Sequence, residues 1–473
     1  MNYKGISYYL GLFCFPVSFL AILNILYSSY FDYFLNIDSY TITFFLSLFL
    51  GLVFYFFGKT SVKKINFLEQ ITLIILIYFL ISVLIATPYY LSNYQITVIN
   101  ALFESFSGIT GTGFSVFDNI KYLDPTLIIW RSSSQWIGGL YFLIFLILFF
   151  SNSQFNYKLN NLVFTTDKSL NPEGNIKKIS LKVFFIYSIL TLLIFVLLSS
   201  SNVRLFNGLN LSMTLISSGG FLPTNSLDQI IKSNFQEIIL IFSFFLSIFN
   251  IFFIYNLFNN NRILKDHYED IMLIILSLIF TLILFFSLKD QNFLSILTNV
   301  LTSLSTSGLT ITSVPKEFSL YLLFLTIIGG SIISNTSGIK FLRIYILLKA
   351  TFEEILKLVK PNNIINRNIL FSDQKITSEN TRLSFLIFIS FFASLFILSG
   401  ILLLDDLNFE NSFKLSILTL TNTTNSNLYN LNDIDFRNLL TSSKIFIIIF
   451  MIIGKIELIS FFLVIKKFFT EYK

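Results

Sequence analysis

Four polar turns, about 100 residues apart, carry residue types that could hold a metal ion without charged side chains. A cation that loses its hydration shell needs several oxygen ligands, and main-chain carbonyl groups supply them in ion-selective pores. Glycine lets successive carbonyl groups face one axis without steric cost. The turns lie at 110–114 (TGTGF), 217–221 (SSGGF), 306–309 (TSGL) and 421–425 (TNTTN). Four such turns together could form rings of oxygen ligands.

A short apolar helix is predicted before the first turn. Leu102, Phe103, Phe106 and Ile109 recur at helical spacing, but about nine apolar residues are too few for a membrane span, which needs about 20. The negative end of this helix dipole would point at the turn. A short helix that stops at a glycine-containing turn, between two longer apolar segments, is typical of a re-entrant pore loop.

The composition is that of a polytopic membrane protein. Hydrophobic residues make up 54% of the 473 residues, charged residues make up 12%, and the mean hydropathy is +0.76. One cysteine (Cys14) and one histidine (His267) exclude a disulfide framework and a metal site made of His and Cys. The predicted spans contain no paired carboxylates, histidine or metal site for acid–base catalysis, so we expect a protein that is not an enzyme.

The hydrophobic pattern predicts an all-α polytopic membrane fold with about ten spans and four re-entrant loops around one central pore. Each repeat consists of a span, a short helix with its polar turn, and a second span. The predicted parts are two leading helices (1–66), repeat 1 (67–158), repeat 2 (159–266), repeat 3 with a broken second helix (267–350), a cytoplasmic linker (351–382) and repeat 4 (383–473). The second spans are predicted at 126–150, 235–258, 320–348 and 443–469.

Lysine and arginine are concentrated on the side opposite the turns, including the whole segment 340–382. The positive-inside rule makes that side cytoplasmic, so both termini are expected in the cytoplasm and the turns are expected to enter from outside. Acidic residues are predicted around the outer mouth, either to concentrate cations or as ordinary solvated loop residues. They are Asp118, Asp124, Asp228, Asp290, Asp405, Asp406, Glu410, Asp433 and Asp435.

Seven motifs, in chain order, resemble those of the Trk/Ktr potassium-uptake family, and the two leading helices favour its Trk branch. The motifs are FESFSGITGTGFS (103–115), WRSSSQWIGGLYF (130–142), SSGGF (217–221), LSTSGLTIT (304–312), IIGGSIISNTSGIKFLRIYILLKA (327–350), LTNTTNSNL (420–428) and IGKIELI (453–459). The resemblance implies K⁺ as the transported ion and no organic cofactor in this chain. It also implies a homodimer in the lipid of a bacterial inner membrane, cytosolic nucleotide-binding regulatory subunits of the TrkA type, and no nucleic-acid partner.

The resemblance places the ion-coordinating positions at three consecutive residues of each turn. They are Gly111, Thr112, Gly113, Ser218, Gly219, Gly220, Thr306, Ser307, Gly308, Asn422, Thr423 and Thr424. Glu104 is expected to brace this filter from behind.

The fourth turn departs from the family pattern, which is usually Asn-Val-Gly-Pro-Gly, because it reads Asn-Thr-Thr-Asn-Ser. We expect Thr424 either to adopt a strained backbone or to turn a carbonyl away, with a hydroxyl in its place. Weaker discrimination against Na⁺ would follow.

Small and polar residues interrupt the second span of repeat 3 at 329–338. The resemblance implies an intramembrane gating loop with Gly329, Gly330, Ser334 and Gly338, and a barrier charge at Lys455, where the family has arginine. A helix-packing kink with small residues at the contact and a snorkelling lysine are the alternatives. The GxxxxGK[ST] spacing of a phosphate loop is absent, so any nucleotide dependence would come from a partner.

The alternative function is that of a secondary transporter, which would bind a small organic solute in a central cavity. Such transporters combine inverted repeats with broken helices and carboxylates at mid-membrane depth. The repeats here look parallel instead, and no span carries a convincing central Asp or Glu.

Overall fold

The structure is a computed structural model that describes residues 2–60, 65–150, 176–259, 267–288, 291–312, 314–359, 368–372, 375–405, 407–431 and 434–456. Its helices are α1 Tyr3–Tyr30, α2 Ile37–Gly58, α3 Phe67–Leu91, α4 Val98–Thr110, α5 Pro125–Phe150, α6 Ile176–Ser200, α7 Leu205–Ile216, α8 Asn234–Ile248, α9 Phe253–Asn259, α10 Tyr268–Ser287, α11 Phe293–Leu304, α12 Ser319–Ile328, α13 Phe341–Val359, α14 Ser378–Leu402, α15 Phe409–Leu420 and α16 Thr441–Ile456. Within these ranges the regular structure is helical, apart from short 3₁₀ turns and one isolated bridge between Asn368 and Lys375.

Six of the described helices are long and apolar enough to cross a membrane: α1, α2, α3, α6, α10 and α14. Their outward faces carry large apolar side chains, as α2 does with the exposed Phe45, Phe49 and Phe56. Contact of these side chains with lipid chains carries no free-energy penalty, whereas their contact with water would be unfavourable.

The four short helices α4, α7, α11 and α15 form the inner ring of the fold. Each packs against both spans of its own repeat and against the second span of the preceding repeat. The order closes on itself, because α16 at the end of repeat 4 packs on α4 of repeat 1. This closure directs the C-termini of the four short helices towards a common centre.

The second span of repeat 2 is not the continuous helix that we predicted at 235–258. α8 ends at Ile248 and α9 begins at Phe253. Asn250 stabilises the break, because its side-chain oxygen accepts a hydrogen bond from the Phe252 amide (3.0 Å), and Asn favours such local bonds over a helix. The Ile251 amide donates to the Ile333 carbonyl of repeat 3 (3.1 Å).

Other predicted bounds also shift. The second span of repeat 3 is interrupted after Ile328, resumes at Phe341, and continues to Val359, inside the predicted linker. The first span of repeat 4 likewise begins inside that linker, at Ser378. The predicted last span, 443–469, is described only to Ile456, and its remainder lies outside the described residues.

Two glycines allow short helices to seat against second spans. A Cβ atom added to Gly138 of α5 would lie 1.9 Å from the Ile109 carbonyl oxygen at the end of α4. At Gly454 of α16 it would lie 2.3 Å from the Leu420 carbonyl oxygen at the end of α15. Because both contacts are with backbone, a side chain at either position would displace the C-terminus of a short helix.

We therefore expect Gly454→Ala to destabilise the protein by about 1–3 kcal/mol, the usual cost of overpacking. Thermal unfolding of the protein in detergent measures this change. Gly400→Ala is the matched control, because Gly400 lies mid-helix in α14 with no atom within 4 Å of the added Cβ, and alanine there should gain up to about 1 kcal/mol. Equal melting temperatures for the two variants would contradict this packing argument.

Candidate ion pathway

Each of the four turns begins with a left-handed residue near the end of its short helix, although the sequences of the turns differ. A residue one or two positions after each short helix has a positive φ, with values of 80° at Gly111, 54° at Ser218, 55° at Thr306 and 48° at Asn422. In repeats 2, 3 and 4 the next amide donates to a carbonyl five residues earlier, at 2.8–3.2 Å. These are helix C-caps of the Schellman kind, which tolerate a left-handed residue because they satisfy the last carbonyl groups.

The turns of all four repeats meet. We call the twelve predicted residues, 111–113, 218–220, 306–308 and 422–424, the loop cluster. The Asn422 side-chain amide donates to the Thr112 hydroxyl (3.0 Å). A Cβ atom added to Gly113 would lie 2.6 Å from Gly220 Cα, and one added to Gly308 would lie 2.7 Å from the Thr424 carbonyl oxygen. The structure thus brings every predicted ligand position into one assembly.

A cavity of about 680 Å³ opens above the loop cluster, and the last residue of each triplet lines it: Gly113, Gly220, Gly308 and Thr424. Three of the predicted acidic residues also line it, namely Asp118, Asp228 and Asp435. Their carboxylates would raise the local cation concentration.

The other predicted acidic residues that the structure describes, Asp124, Asp405 and Glu410, do not line this cavity. Asp124 is buried, where it accepts hydrogen bonds from Asn36 (3.1 Å) and Thr126 (2.8 Å). Glu410 forms an ion pair with Lys414 (2.7 Å), which lowers the pKa of this exposed carboxyl group. Asp290, Asp406 and Asp433 lie outside the described residues.

Thr424 places a side chain inside the loop cluster. Of the two alternatives expected from the sequence, the strained backbone is not adopted, since Thr424 stays outside the left-handed region. Its hydroxyl instead donates to the Gly113 carbonyl oxygen (2.9 Å). A Cβ atom on Gly220 would lie only 2.3 Å from Thr424 Cβ, so repeats 2 and 4 are in van der Waals contact at this level.

A buried ion pair lies behind the loop cluster. Glu104 of α4 and Arg131 of α5 meet at 2.8 Å, and both are almost completely buried. The Glu104 carboxylate also accepts hydrogen bonds from the Val116 amide (2.8 Å) and the Ser115 hydroxyl (3.1 Å). The guanidinium lies 4.1 Å from the ring centre of Phe221, next to the second turn. The pair therefore connects the return segment of repeat 1 with the turn of repeat 2.

The interruption in repeat 3, which we call loop 329–338, is closed at its base. Gly329 and Gly338 have φ values of 67° and 82°, and a Cβ atom at Gly329 would lie 2.3 Å from the Ser337 carbonyl oxygen. The Ile339 amide donates to the Ile327 carbonyl (2.9 Å). The two helix ends are thus joined across the loop, and a side chain at Gly329 would separate them.

Loop 329–338 lies directly against the loop cluster. The Asn335 side-chain amide donates to the Ile216 carbonyl at the end of α7 (2.7 Å). The Ser337 amide donates to the Thr306 hydroxyl of the third turn (3.1 Å). The predicted gate residues Gly330 and Ser334 both bond to the Thr336 hydroxyl, at 3.0 and 2.8 Å. The loop therefore contacts the ends of two short helices at once.

Lys455, for which the resemblance implies a barrier charge, lies next to loop 329–338. Its side chain is 2% exposed, and its ammonium donates to the Asn335 carbonyl oxygen (3.0 Å). It lies 4.5 Å from the ring centre of Phe142 and 3.7 Å from a Cβ atom added to Gly111. The ammonium therefore points to the loop cluster and does not snorkel to a membrane surface.

Two buried cations near the loop cluster, Lys340 and Arg131, were not predicted from the sequence. Lys340, which we counted with the cytoplasmic charges, is 2% exposed and its ammonium bonds to loop 329–338. Arg131 received no role. Both stand inside apolar segments, and an ionisable residue at such a position is itself the signal that could have found them.

We expect Glu104→Gln to destabilise the protein strongly, because it leaves the Arg131 guanidinium buried without its counter-charge, a loss of about 3–5 kcal/mol. Glu354→Gln is the control, because it breaks an exposed ion pair with Lys357 on α13 and should cost at most about 1 kcal/mol. Melting temperatures of the purified variants test this, and equal losses would contradict a structural role for the buried pair.

Comparison with curated proteins finds several similar cation transporters. An uncharacterized cation transporter of Methanocaldococcus jannaschii is 28% identical over 361 residues, which are 73% of this chain and 73% of that protein. The Trk system potassium uptake protein TrkG of Escherichia coli is 27% identical over 439 residues, 87% of each chain. TrkH of Salmonella typhimurium is 26% identical over 347 residues, 69% of this chain and 71% of that protein.

Among solved structures, the crystal structure of the potassium transporter TrkH from Vibrio parahaemolyticus matches with a TM-score of 0.86 and 19% identity, over 98% of both chains. This match confirms the predicted all-helical polytopic membrane fold. A family model described as "TrkH: Cation transport protein" matches residues 36–317, more than half of the chain. Since that is a transporter family, the prediction that the chain is not an enzyme is also confirmed. The chain belongs to the TrkH family of cation transport proteins.

Proposed function

We propose that this protein takes up potassium ions, with K⁺ moving inward through the loop cluster as a selectivity filter. The observation that supports this best is the meeting of four equivalent turns at the floor of one outer cavity. Uptake of potassium is also what the names of the TrkG and TrkH relatives state.

In this proposal the ligands are the carbonyl and hydroxyl oxygens of the loop cluster. The four short helices end at the cluster, so the negative ends of their dipoles face the ion. All the ligand groups are neutral, which suits a monovalent cation that must also leave the site. The Thr424 side chain, in contact with Gly220, closes the outer level in the observed conformation, so passage requires it to rotate or its turn to move.

Loop 329–338 and Lys455 form the gate in this proposal. The loop contacts the end of α7 and the first residue of the third triplet, whereas the last residue of each triplet lines the cavity. The Lys455 ammonium adds a positive charge at the place where an ion would leave. At 5 Å and an effective dielectric constant of 20, two unit charges repel by about 3 kcal/mol. Opening therefore has to move the loop and withdraw or screen this charge.

We further propose the assembly that the family resemblance implies. Two copies of the chain lie in the cytoplasmic membrane of a bacterium, each with its own pore, with both termini inside and the turns facing outward. Cytosolic nucleotide-binding subunits of the TrkA type regulate the pore. The positive-inside distribution of lysine and arginine supports this orientation.

Expression in a bacterium that lacks its own potassium-uptake systems tests the function. We expect the chain to restore growth at micromolar K⁺ and to mediate ⁸⁶Rb⁺ uptake. Gly220→Ala should abolish both, because its Cβ would overlap Thr424, whereas Gly400→Ala should retain both. Uptake of a labelled organic solute in place of Rb⁺ would instead favour a secondary transporter.

We expect Thr424→Gly to increase the selectivity for K⁺ over Na⁺, since it removes the side chain from the loop cluster and frees the Gly113 carbonyl oxygen as a ligand. K⁺ and Na⁺ flux ratios in proteoliposomes measure this change. Thr424→Val is the matched control, because it keeps the volume and removes only the hydroxyl. If selectivity in Thr424→Gly stayed at the wild-type level, Thr424 would not limit ion discrimination.

A further inference from the structure

The Lys340 ammonium is surrounded by oxygen atoms of loop 329–338. Its Nζ atom lies 3.2 Å from the Ser331 carbonyl oxygen and 3.2 Å from both the carbonyl and hydroxyl oxygens of Ser334. The Thr336 hydroxyl is at 3.1 Å and the Thr336 carbonyl is at 2.5 Å. We call these five oxygens the cage.

The cage has more acceptors than an ammonium can use. An ammonium carries three N–H donors in fixed directions, so it cannot donate to all five oxygens at once. Two of them also accept hydrogen bonds from within the loop, the Ser331 carbonyl from the Ser334 hydroxyl (2.6 Å) and the Thr336 hydroxyl from the Gly330 amide (3.0 Å). A spherical cation has no such directional limit. All five ligands are neutral carbonyl or hydroxyl oxygens, the type that replaces the hydration shell of K⁺, whereas Ca²⁺ and Mg²⁺ sites rely on carboxylates.

The backbone holds Lys340 in an unfavourable conformation to reach the cage. Its φ is 77°, in the left-handed region that a long side chain avoids. Lys340 follows Gly338, which also has a positive φ, at the end of loop 329–338. The contacts of its ammonium with the cage offset this cost. Without the ammonium, the cage residues remain joined through the Ser334 hydroxyl, which bonds to the Ser331 carbonyl (2.6 Å) and to the Thr336 hydroxyl (2.8 Å).

The cage lies next to the loop cluster. Asn335 lies between the cage residues Ser334 and Thr336. Its carbonyl oxygen accepts a hydrogen bond from the Lys455 ammonium, and its side-chain amide donates to the carbonyl at the end of α7. Ser337, adjacent to Thr336, donates to the Thr306 hydroxyl of the third turn. An ion that leaves the loop cluster inward would therefore meet loop 329–338, to which the cage belongs.

We propose that the cage is a monovalent-cation site on the ion pathway, which the Lys340 ammonium fills in the closed pore and a potassium ion occupies when the lysine withdraws. This rests on the proposed function of the loop cluster as a potassium filter. Exchange of the tethered ammonium for a free ion would then be the step that couples ion entry to movement of loop 329–338.

Crystals of the full-length protein soaked in thallium(I), a K⁺ substitute with strong anomalous scattering, test this directly. Wild type should show peaks in the loop cluster only. Lys340→Met, which keeps the chain length but lacks the ammonium, should show one additional peak among the five oxygens. Lys444→Met is the matched control, because the Lys444 ammonium bonds only to the Asn100 side chain and the Arg437 carbonyl among the contacts of the described residues. This variant should show no additional peak.

The outcomes separate this proposal from the one that it rests on. Peaks in the loop cluster of both proteins, without a new peak in Lys340→Met, would overturn the cage as a cation site and leave the filter intact. Absence of peaks from the loop cluster in every protein would instead contradict the proposed function.

If Lys340→Met does not fold, reductive methylation of the wild-type protein in lipid nanodiscs gives a second test. Potassium chloride, compared with N-methyl-D-glucamine chloride, should raise the methylation rate of Lys340 by about threefold or more, because K⁺ increases the small fraction of molecules in which the ammonium has left the cage. The exposed Lys59 should react equally in both salts. A Lys340 rate that does not depend on K⁺ would overturn the proposal.

Discussion

Hydrocarbon offers no hydrogen-bond partners, so a chain can interrupt its helices at membrane depth only where the interruptions supply partners for one another. This protein does so in its centre. The break after α8 and loop 329–338 exchange backbone hydrogen bonds, from Ser331 to Ile248 (3.0 Å) and from Ile251 to Ile333 (3.1 Å). Glu269, at the start of α10, accepts the Ile332 amide (3.1 Å). The irregular segments are therefore stable as a set, and each depends on the others.

The same constraint governs the buried charges. Glu104 and Arg131 neutralise each other behind the loop cluster, at 2.8 Å. The ammonium groups of Lys340 and Lys455 both bond to carbonyl oxygens of loop 329–338, and both lie near the ring of Phe142, at 5.7 and 4.5 Å. Any movement of this loop consequently leaves two charges to be satisfied again. A position of the loop that left these buried ammonium groups without partners would be costly.

Much of this architecture follows from the sequence, because apolar length and the recurrence of polar turns are local signals. The four short helices, their turns and the interruption in repeat 3 all lie where the residues indicate. The break at Asn250 was missed because the surrounding segment is uniformly apolar, and the break is stabilised by Asp270 and by Ile333, distant residues that no local pattern reveals. Lys340 was misplaced for a related reason, since its burial depends on how loop 329–338 folds back.

The fourth turn shows which part of a glycine motif the fold needs. The left-handed position after each short helix is occupied by glycine once and by Ser218, Thr306 and Asn422 in the other repeats. A left-handed non-glycine residue costs about 1–2 kcal/mol, which the cap hydrogen bonds offset. The backbone at Thr424, two residues later, is unstrained. The departure of the fourth turn from glycine therefore changes what projects into the loop cluster. The backbone at Thr424, like that at Gly220, stays outside the left-handed region, whereas Gly113 and Gly308 have φ values of 80° and 70°. The effect of this departure should thus appear in ion discrimination before it appears in folding.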